Sequence, residues 1–412
     1  MMKLEVGIIG SGLSGLSAAY ELYQQLGTNV HVTILEKEPQ LGGRIFTKKF
    51  NGCPIELGAQ FFIHGGTVQN LVKSLGLKSD VIPLGDNFIS FYYDKKIYSR
   101  DHLQMISLFK TSEGIKEKEE LLKYAKEVNA SKNLINFSFD EWYRNNIGEH
   151  SLPFWNRMLI SIGIRDVKSI NAYFGLIIVN VLFGSNYLLK GGLEQLVNKL
   201  SEKITSLGGE IITDARCKVI EKNGNKYRIE FEKERKTKER EFDRIISAIP
   251  PKDLRDICNF DILRPLQKIE GHPMALYVIK SNTKLWDNTW GLIISEEKNP
   301  IYALCDWKNI TDAHRDTPLL TICSPYASID EIIHEFRVLF PGINPQCKII
   351  FEKKWDTGLH QLNPEFFKIC EKVSRNLPDG MYLAGDWMTL PALEGAVISG
   401  TKAVQLLIRG LK

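Results

Sequence analysis

Leu4-Glu5-Val6-Gly7-Ile8-Ile9-Gly10-Ser11-Gly12-Leu13-Ser14-Gly15 is the stretch that decides how this 412-residue chain is read. Leu4 to Ile9 is a short apolar run of the kind that forms a buried parallel strand. The glycine turn follows at once, and Leu16 to Leu26 carries Ala, Leu and Tyr at helical spacing. After Gly27 a second apolar strand, Val30 to Leu35, runs into Glu36, about twenty residues beyond Gly15.

Each piece has a physical task. Gly10 permits the tight turn, Gly12 lets backbone N–H groups approach a ligand, and Gly15 lets the helix sit close to the strand. The helix that opens at Leu13 and Ser14 offers unpaired N–H groups and a positive dipole end to phosphates. Glu36 can accept hydrogen bonds from ribose hydroxyls and disfavours a 2′-phosphate. Strand, glycine turn, helix, strand and acid together are a dinucleotide-binding unit, with Gly10 to Gly15, Glu36 and Lys37 as its contacts.

Glu36-Lys37-Glu38-Pro39-Gln40-Leu41-Gly42-Gly43-Arg44 resembles the E-x-x-x-x-x-G-G-R extension of FAD enzymes in the flavin amine oxidase superfamily. That superfamily groups amine oxidases, protoporphyrinogen oxidase and carotenoid or squalene desaturases. Gly43 and Arg44 then supply a close backbone approach and a cation for the cofactor. Pro54-Ile-Glu-Leu-Gly58-Ala59-Gln60-Phe61-Phe62-Ile-His64-Gly-Gly66 is similar to the segment that passes beneath the flavin in polyamine-type oxidases. Gly191 to Leu196 resembles the return crossing of the family, and Cys217 falls where its backbone holds the adenine. Met381-Tyr-Leu-Ala-Gly385-Asp386-Trp387 and Leu390-Pro-Ala-Leu393-Glu394-Gly-Ala396-Val-Ile-Ser-Gly400 resemble the desaturase ending. The resemblance implies that Asp386 faces the ribityl or phosphate region and that the helix start at Leu393, Glu394 and Ala396 faces the flavin. It also implies non-covalent FAD, because no tethering cysteine has a counterpart.

The fold expected is α/β: an FAD-binding Rossmann-like (GR2-type) domain with an inserted α+β substrate domain. Residues 1–80, 188–250 and 351–412 are expected to form the first, and residues 81–187 and 251–350 the second. Within the insert, residues 87–98 read as a hairpin turning at Asp94-Lys95-Lys96. Helical patterns cover 102–109, 113–127, 139–146, 152–162 and 169–181. Runs at 275–279, 291–295, 301–306 and 319–324 read as an antiparallel sheet, and 331–340 as a helix ended by Pro341-Gly342. Cys217–Ile220 and Tyr227–Phe231 read as a hairpin turning at Asn223-Gly224-Asn225, and 232–241 as an exposed hairpin or loop.

Composition narrows the function. A net charge of +4 with interleaved acids and bases gives no ground for nucleic-acid binding. Seven scattered cysteines without C-x-x-C favour a reducing cytoplasm over a disulfide framework, and eight histidines show no metal-ligand spacing. Met1 leads straight into a strand, so no leader is expected, and no run reaches transmembrane length. Peripheral membrane contact stays open. The cofactor implies hydride removal from a C–C or C–N bond of an apolar or cyclic substrate, with dioxygen or another acceptor reoxidising it. The alternatives are an amine or amino-acid oxidase producing hydrogen peroxide, and a non-oxidative flavoprotein such as an isomerase or assembly factor. Gln60, Trp355 and His360 are the pocket candidates, with ordinary packing as the competing reading for the last two. Amine oxidases place a cage aromatic two residues before the Glu of E-G-A-V, and here that residue is Ala392.

Overall fold

In the computed structural model, residues 3–85, 88–130, 133–280, 285–286, 289–296, 299–310, 318–325, 328–341 and 348–411 are described. Asn87 and Gly342, which the expected hairpin and helix stop include, lie outside them.

Five strands form a wholly parallel sheet, in the order Glu210–Ile212, Val30–Leu35, Leu4–Ile9, Arg244–Ser247, Met381–Leu383. Their residues are apolar on both faces because helices cover both sides. Val6, Ile8, Val32, Ile34 and Ile245 are buried. Helices Leu13–Leu26, Glu194–Ser206 and Leu393–Arg409 contribute to that core. The first and last helices touch through Gly400, where a Cβ would lie 2.5 Å from the Ser14 carbonyl oxygen. A three-stranded antiparallel meander, Arg216–Asn223, Lys226–Lys233 and Lys236–Phe242, lies beside this sheet. Its second turn uses Glu234 and Arg235 at φ +55° and +60°.

The second large sheet has seven strands. Their order is Ile349–His360, Gly271–Lys280, Leu319–Ser324, Ala303–Asp306, Gly291–Ile294, Ile89–Tyr93, Lys96–Ser99. Two expectations are corrected here. The sheet is mixed, because Gly291–Ile294 pairs in parallel with Ile89–Tyr93, a strand delivered by the earlier pass of the chain. Residues 351–360, expected in the cofactor domain, are instead most of a 12-residue edge strand of this sheet. The expected hairpin turns through Asp94 and Lys95 at φ +48° and +58°.

A block of helices, Ser112–Lys126, Phe139–Asn146, Leu152–Ile160 and Ala172–Phe183, meets the seven-stranded sheet through Leu152–Ile160, whose Arg157 donates to the Ile294 carbonyl at 2.8 Å. The expected helix at 102–109 is two 3₁₀ turns, Arg100–Met105 and Ser107–Lys110, split by extended Ile106. The helix expected from Ser169 starts at Ala172, because Asn171 caps it by accepting the Phe174 N–H at 2.9 Å. Val81–Pro83 and Phe62–Ile63 both pair with Asn186–Leu189, so a small sheet straddles the expected boundaries at 80 and 187.

Candidate cofactor and substrate site

The glycine turn distributes its three roles clearly. Gly10 sits at φ +98° and donates its N–H to the Leu35 carbonyl at 2.8 Å. A Cβ on Gly15 would collide with the Gly10 carbonyl oxygen. Gly12 is different. Its φ is −60°, and an added Cβ would meet no described atom within 4 Å. Nothing described inside the chain demands glycine there, and the space beside its backbone is open. Leu13, Ser14 and Gly15 are the first residues of the helix, where N–H groups have no intrahelical acceptor.

Glu36 is buried at the end of the second strand. Its carboxylate accepts the Ser11 N–H and Ser11 hydroxyl at 2.7 Å each, and the Glu38 N–H at 2.9 Å. Lone pairs remain for further donors. The Lys37 ammonium is turned away to Asp253 at 2.9 Å, so a cofactor contact by Lys37 is left to its backbone. Cys217 lies close by in the meander, its buried thiol pushed up to about 12 by burial and by the Glu36 charge. That thiol is inert, as a purely backbone role requires.

A second constellation assembles from three distant segments. Arg44 reaches Asp386 at 2.6 Å and the Gly358 carbonyl at 3.1 Å. Asp386 also accepts the Trp387 N–H at 2.9 Å, and the buried His360 Nδ1 stands 3.6 Å from it. Burial pushes the Asp386 carboxyl upward, but Arg44 and His360 outweigh it and hold the group well below the usual carboxylate range. Gly385, at φ +137°, gives its N–H to Ser399, and a side chain there would strike the Trp387 indole. Gly43, at φ +59°, brings its own chain against Gly12, where a Cβ would lie 3.2 Å from the Gly12 Cα.

Gly58 and Ala59 are clamped to the Arg44 segment. Ala59 donates to the Arg44 carbonyl at 2.9 Å, and a Cβ on Gly58 would collide with that same oxygen. Gln60 follows, with Cys305 Sγ at 3.8 Å from its Oε1 and its buried Nε2 without a described partner. Phe61 stands edge-on to Phe88 and Trp290, at 5.7 and 6.1 Å between centroids. Trp355 belongs to the other side of this segment. Its indole N–H holds the Leu57 carbonyl at 2.8 Å and its ring meets Phe46, so it supports the segment through the backbone.

Glu394 differs from expectation in its side chain. Its carboxylate closes the N-terminus of helix Thr67–Ser74, accepting the Thr67 hydroxyl at 2.5 Å and the Val68 N–H at 3.0 Å. Leu393 and Glu394 begin the last helix, whereas the Ala396 N–H, expected to face the flavin, is already given to the Ala392 carbonyl at 3.0 Å. Glu56 is an anchoring residue that motif reading passed over. It does the same for helix Glu194–Ser206, taking the Leu193 N–H at 2.7 Å and the Thr47 hydroxyl at 2.8 Å. The signal available in the sequence was an acid within an otherwise apolar run, Pro54-Ile55-Glu56-Leu57.

Residues 13–339 match the family model described as flavin containing amine oxidoreductase. The chain belongs to that family. Among its amine oxidoreductase relatives, the chain is 40% identical to Staphylococcus aureus coproporphyrinogen III oxidase over 82 residues, 20% of this chain and 17% of that one. It is 37% identical over 95 residues to an Arabidopsis thaliana protein named as a probable polyamine oxidase, covering 22% and 18% of the two chains. The chain spans less than two thirds of these relatives, reaching 63% for a Methanocaldococcus jannaschii protein of 28% identity. The fold matches that of an Exiguobacterium protein assigned as a protoporphyrinogen oxidase, with a TM-score of 0.79 and 17% identity over 99% of both chains. Among the described residues no helix is long and apolar enough to cross a membrane.

Proposed function

We propose that this chain is an FAD-dependent oxidoreductase that removes hydride from a C–C or C–N bond of an apolar or cyclic substrate, in the manner of porphyrinogen oxidases and desaturases. The residues fit FAD. Glu36 retains acceptor capacity for ribose, and the open side of Gly12 with the N–H groups of the first helix suits the diphosphate. Arg44 and Asp386 suit the ribityl stretch, and the start of the last helix suits the flavin edge. When bound, FAD supplies the hydride acceptor. The chain's own residues position, desolvate and stabilise negative charge. Non-covalent binding agrees with the five buried free thiols Cys217, Cys258, Cys305, Cys323 and Cys370, which also suit a cytoplasmic location. We read the parallel sheet with its helices as the cofactor domain, and the seven-stranded sheet with the helical block as the substrate domain.

The observation that carries the substrate class is the wall beside Gln60. It is aromatic and apolar, built by Phe61, Phe88 and Trp290, while the cage position of amine oxidases is Ala392, extended just before the last helix. The amine oxidase reading is supported by the likeness to polyamine oxidases over about a fifth of the chain. The two separate in one experiment. Anaerobic holoprotein is mixed with porphyrinogens, polyenes, polyamines and amino acids while the visible flavin band is followed. Bleaching by a porphyrinogen or polyene alone is expected; bleaching by an amine, with peroxide on readmitting air, replaces this reading with the amine oxidase one.

A further inference from the structure

We propose that Gln60 and Trp290 form a two-donor site for a neutral carbonyl oxygen on the substrate, set into the aromatic wall. The proposal rests on the oxidoreductase reading above and adds which polar feature the substrate carries.

Two buried N–H donors in this region have no described acceptor: Gln60 Nε2 and Trp290 Nε1. Trp290 is 3% exposed, so no bulk water serves it. An unmet buried donor is expensive, and a ligand acceptor is the natural relief. The two belong to one neighbourhood. Gln60 precedes Phe61, whose ring stands edge-on to Trp290 at 6.1 Å. Cys305, which contacts the Gln60 amide, pairs across the sheet with Gly291, the residue after Trp290.

The orientation of the amide follows from its neighbour. Contact with Cys323 and burial keep the Cys305 thiol protonated. A thiol donates, so it takes Gln60 Oε1 and leaves Nε2 facing away as the free donor. Trp290 itself is fixed by backbone and rings: its backbone N–H donates to the Phe88 carbonyl at 3.1 Å, its carbonyl takes the Asp306 N–H at 2.8 Å, and its ring packs on Trp307 at 6.0 Å. Both donors are uncharged and sit among aromatic rings. A carboxylate placed there would lose its hydration without a cation in return, whereas an amide, ketone or ester carbonyl loses little.

The test uses FAD-loaded protein and calorimetric titration with cinnamamide, with cinnamate and β-methylstyrene as charged and hydrocarbon counterparts. Cinnamamide is expected to bind at least about tenfold more tightly than either. Trp290→Phe, which removes the N–H and keeps an aromatic, and Gln60→Leu are each expected to weaken cinnamamide about tenfold and leave β-methylstyrene unchanged. Unchanged cinnamamide binding in both variants overturns the proposal, as does cinnamate binding best. So does loss of FAD from Gln60→Leu with no effect of Trp290→Phe, which assigns the amide to the cofactor alone. The oxidoreductase reading fails separately, on donors that leave the flavin band unbleached, whatever the titrations give.

Discussion

Glu56 shows how one side chain can be placed where an acceptor is wanted and a charge is not. Burial raises its carboxyl from 4.5 to about 7, against the lowering effect of the Leu193 N–H and Thr47 hydroxyl. The folded protein therefore keeps a proton that the unfolded chain releases. This contribution is full below pH 4.5 and is lost as pH rises toward 7. Glu56→Gln keeps a neutral acceptor at every pH, so its melting temperature should fall less between pH 5 and 7 than that of the parent. Glu56→Ala strands two donors and should destabilise by about 1–3 kcal/mol in denaturant melts. Asp386 works with the opposite sign. Its depressed carboxyl contributes stability above the ordinary 3.8 and loses it on acidification. Glu36→Ala should purify largely colourless, and fully yellow protein would remove Glu36 from the ribose site. The residues read from the sequence were those whose type alone dictates a role, such as Gly10 in its turn and Gly15 against the Gly10 carbonyl. The Glu394 side chain turns to Thr67 and Val68, and Trp355 takes its packing reading, because a motif fixes where the backbone goes and leaves the side chain free to turn to a neighbour from elsewhere.

At the scale of elements, three carboxylates close helix N-termini that lie far away in sequence. Glu56 serves Glu194–Ser206, Glu394 serves Thr67–Ser74, and Glu117 serves Leu152–Ile160 by accepting Ser151 N–H at 2.7 Å. Such acceptors meet orphan N–H groups and favour the positive dipole end. Gly400 sets the approach of the last helix to the first. Gly400→Val should force them apart and cost about 1–3 kcal/mol, read as a lowered melting temperature with helix content retained. Most strands and helices were legible, since buried parallel strands are continuous apolar runs and the turns at Asp94 and Gly224 carry residues that tolerate positive φ. Ile349–His360 escaped notice for a physical reason. It is an edge strand, and Glu352, Lys354 and Asp356 on its exposed face dilute the apolar signal while guarding the edge. The parallel pairing of Ile89–Tyr93 with Gly291–Ile294 joins segments some two hundred residues apart, a choice made by tertiary packing rather than local pattern.

For the molecule as a whole, the cofactor frame is drawn from the beginning, middle and end of the chain. A ligand bridging those segments stabilises the folded state by mass action, so FAD removal should lower the melting temperature. Restoring FAD to a hundred times its dissociation constant should return about 2.7 kcal/mol. A melting point indifferent to added FAD would sink the cofactor assignment.

The carboxylate anchors have one more consequence, for how such a protein can change. Glu56 fastens Leu193, and Glu394 fastens Thr67 and Val68, directly across everything that lies between them in the chain. Each tie reports only on its own two ends. Changes confined to the helices between Ser112 and Phe183 leave both ties in place, while Ile89–Tyr93 and Arg157 stay bound to the seven-stranded sheet. A chimera carrying a relative's residues in place of 112–146 should therefore keep its flavin, read from its visible absorption, and a colourless chimera would show that the ties do not isolate the frame.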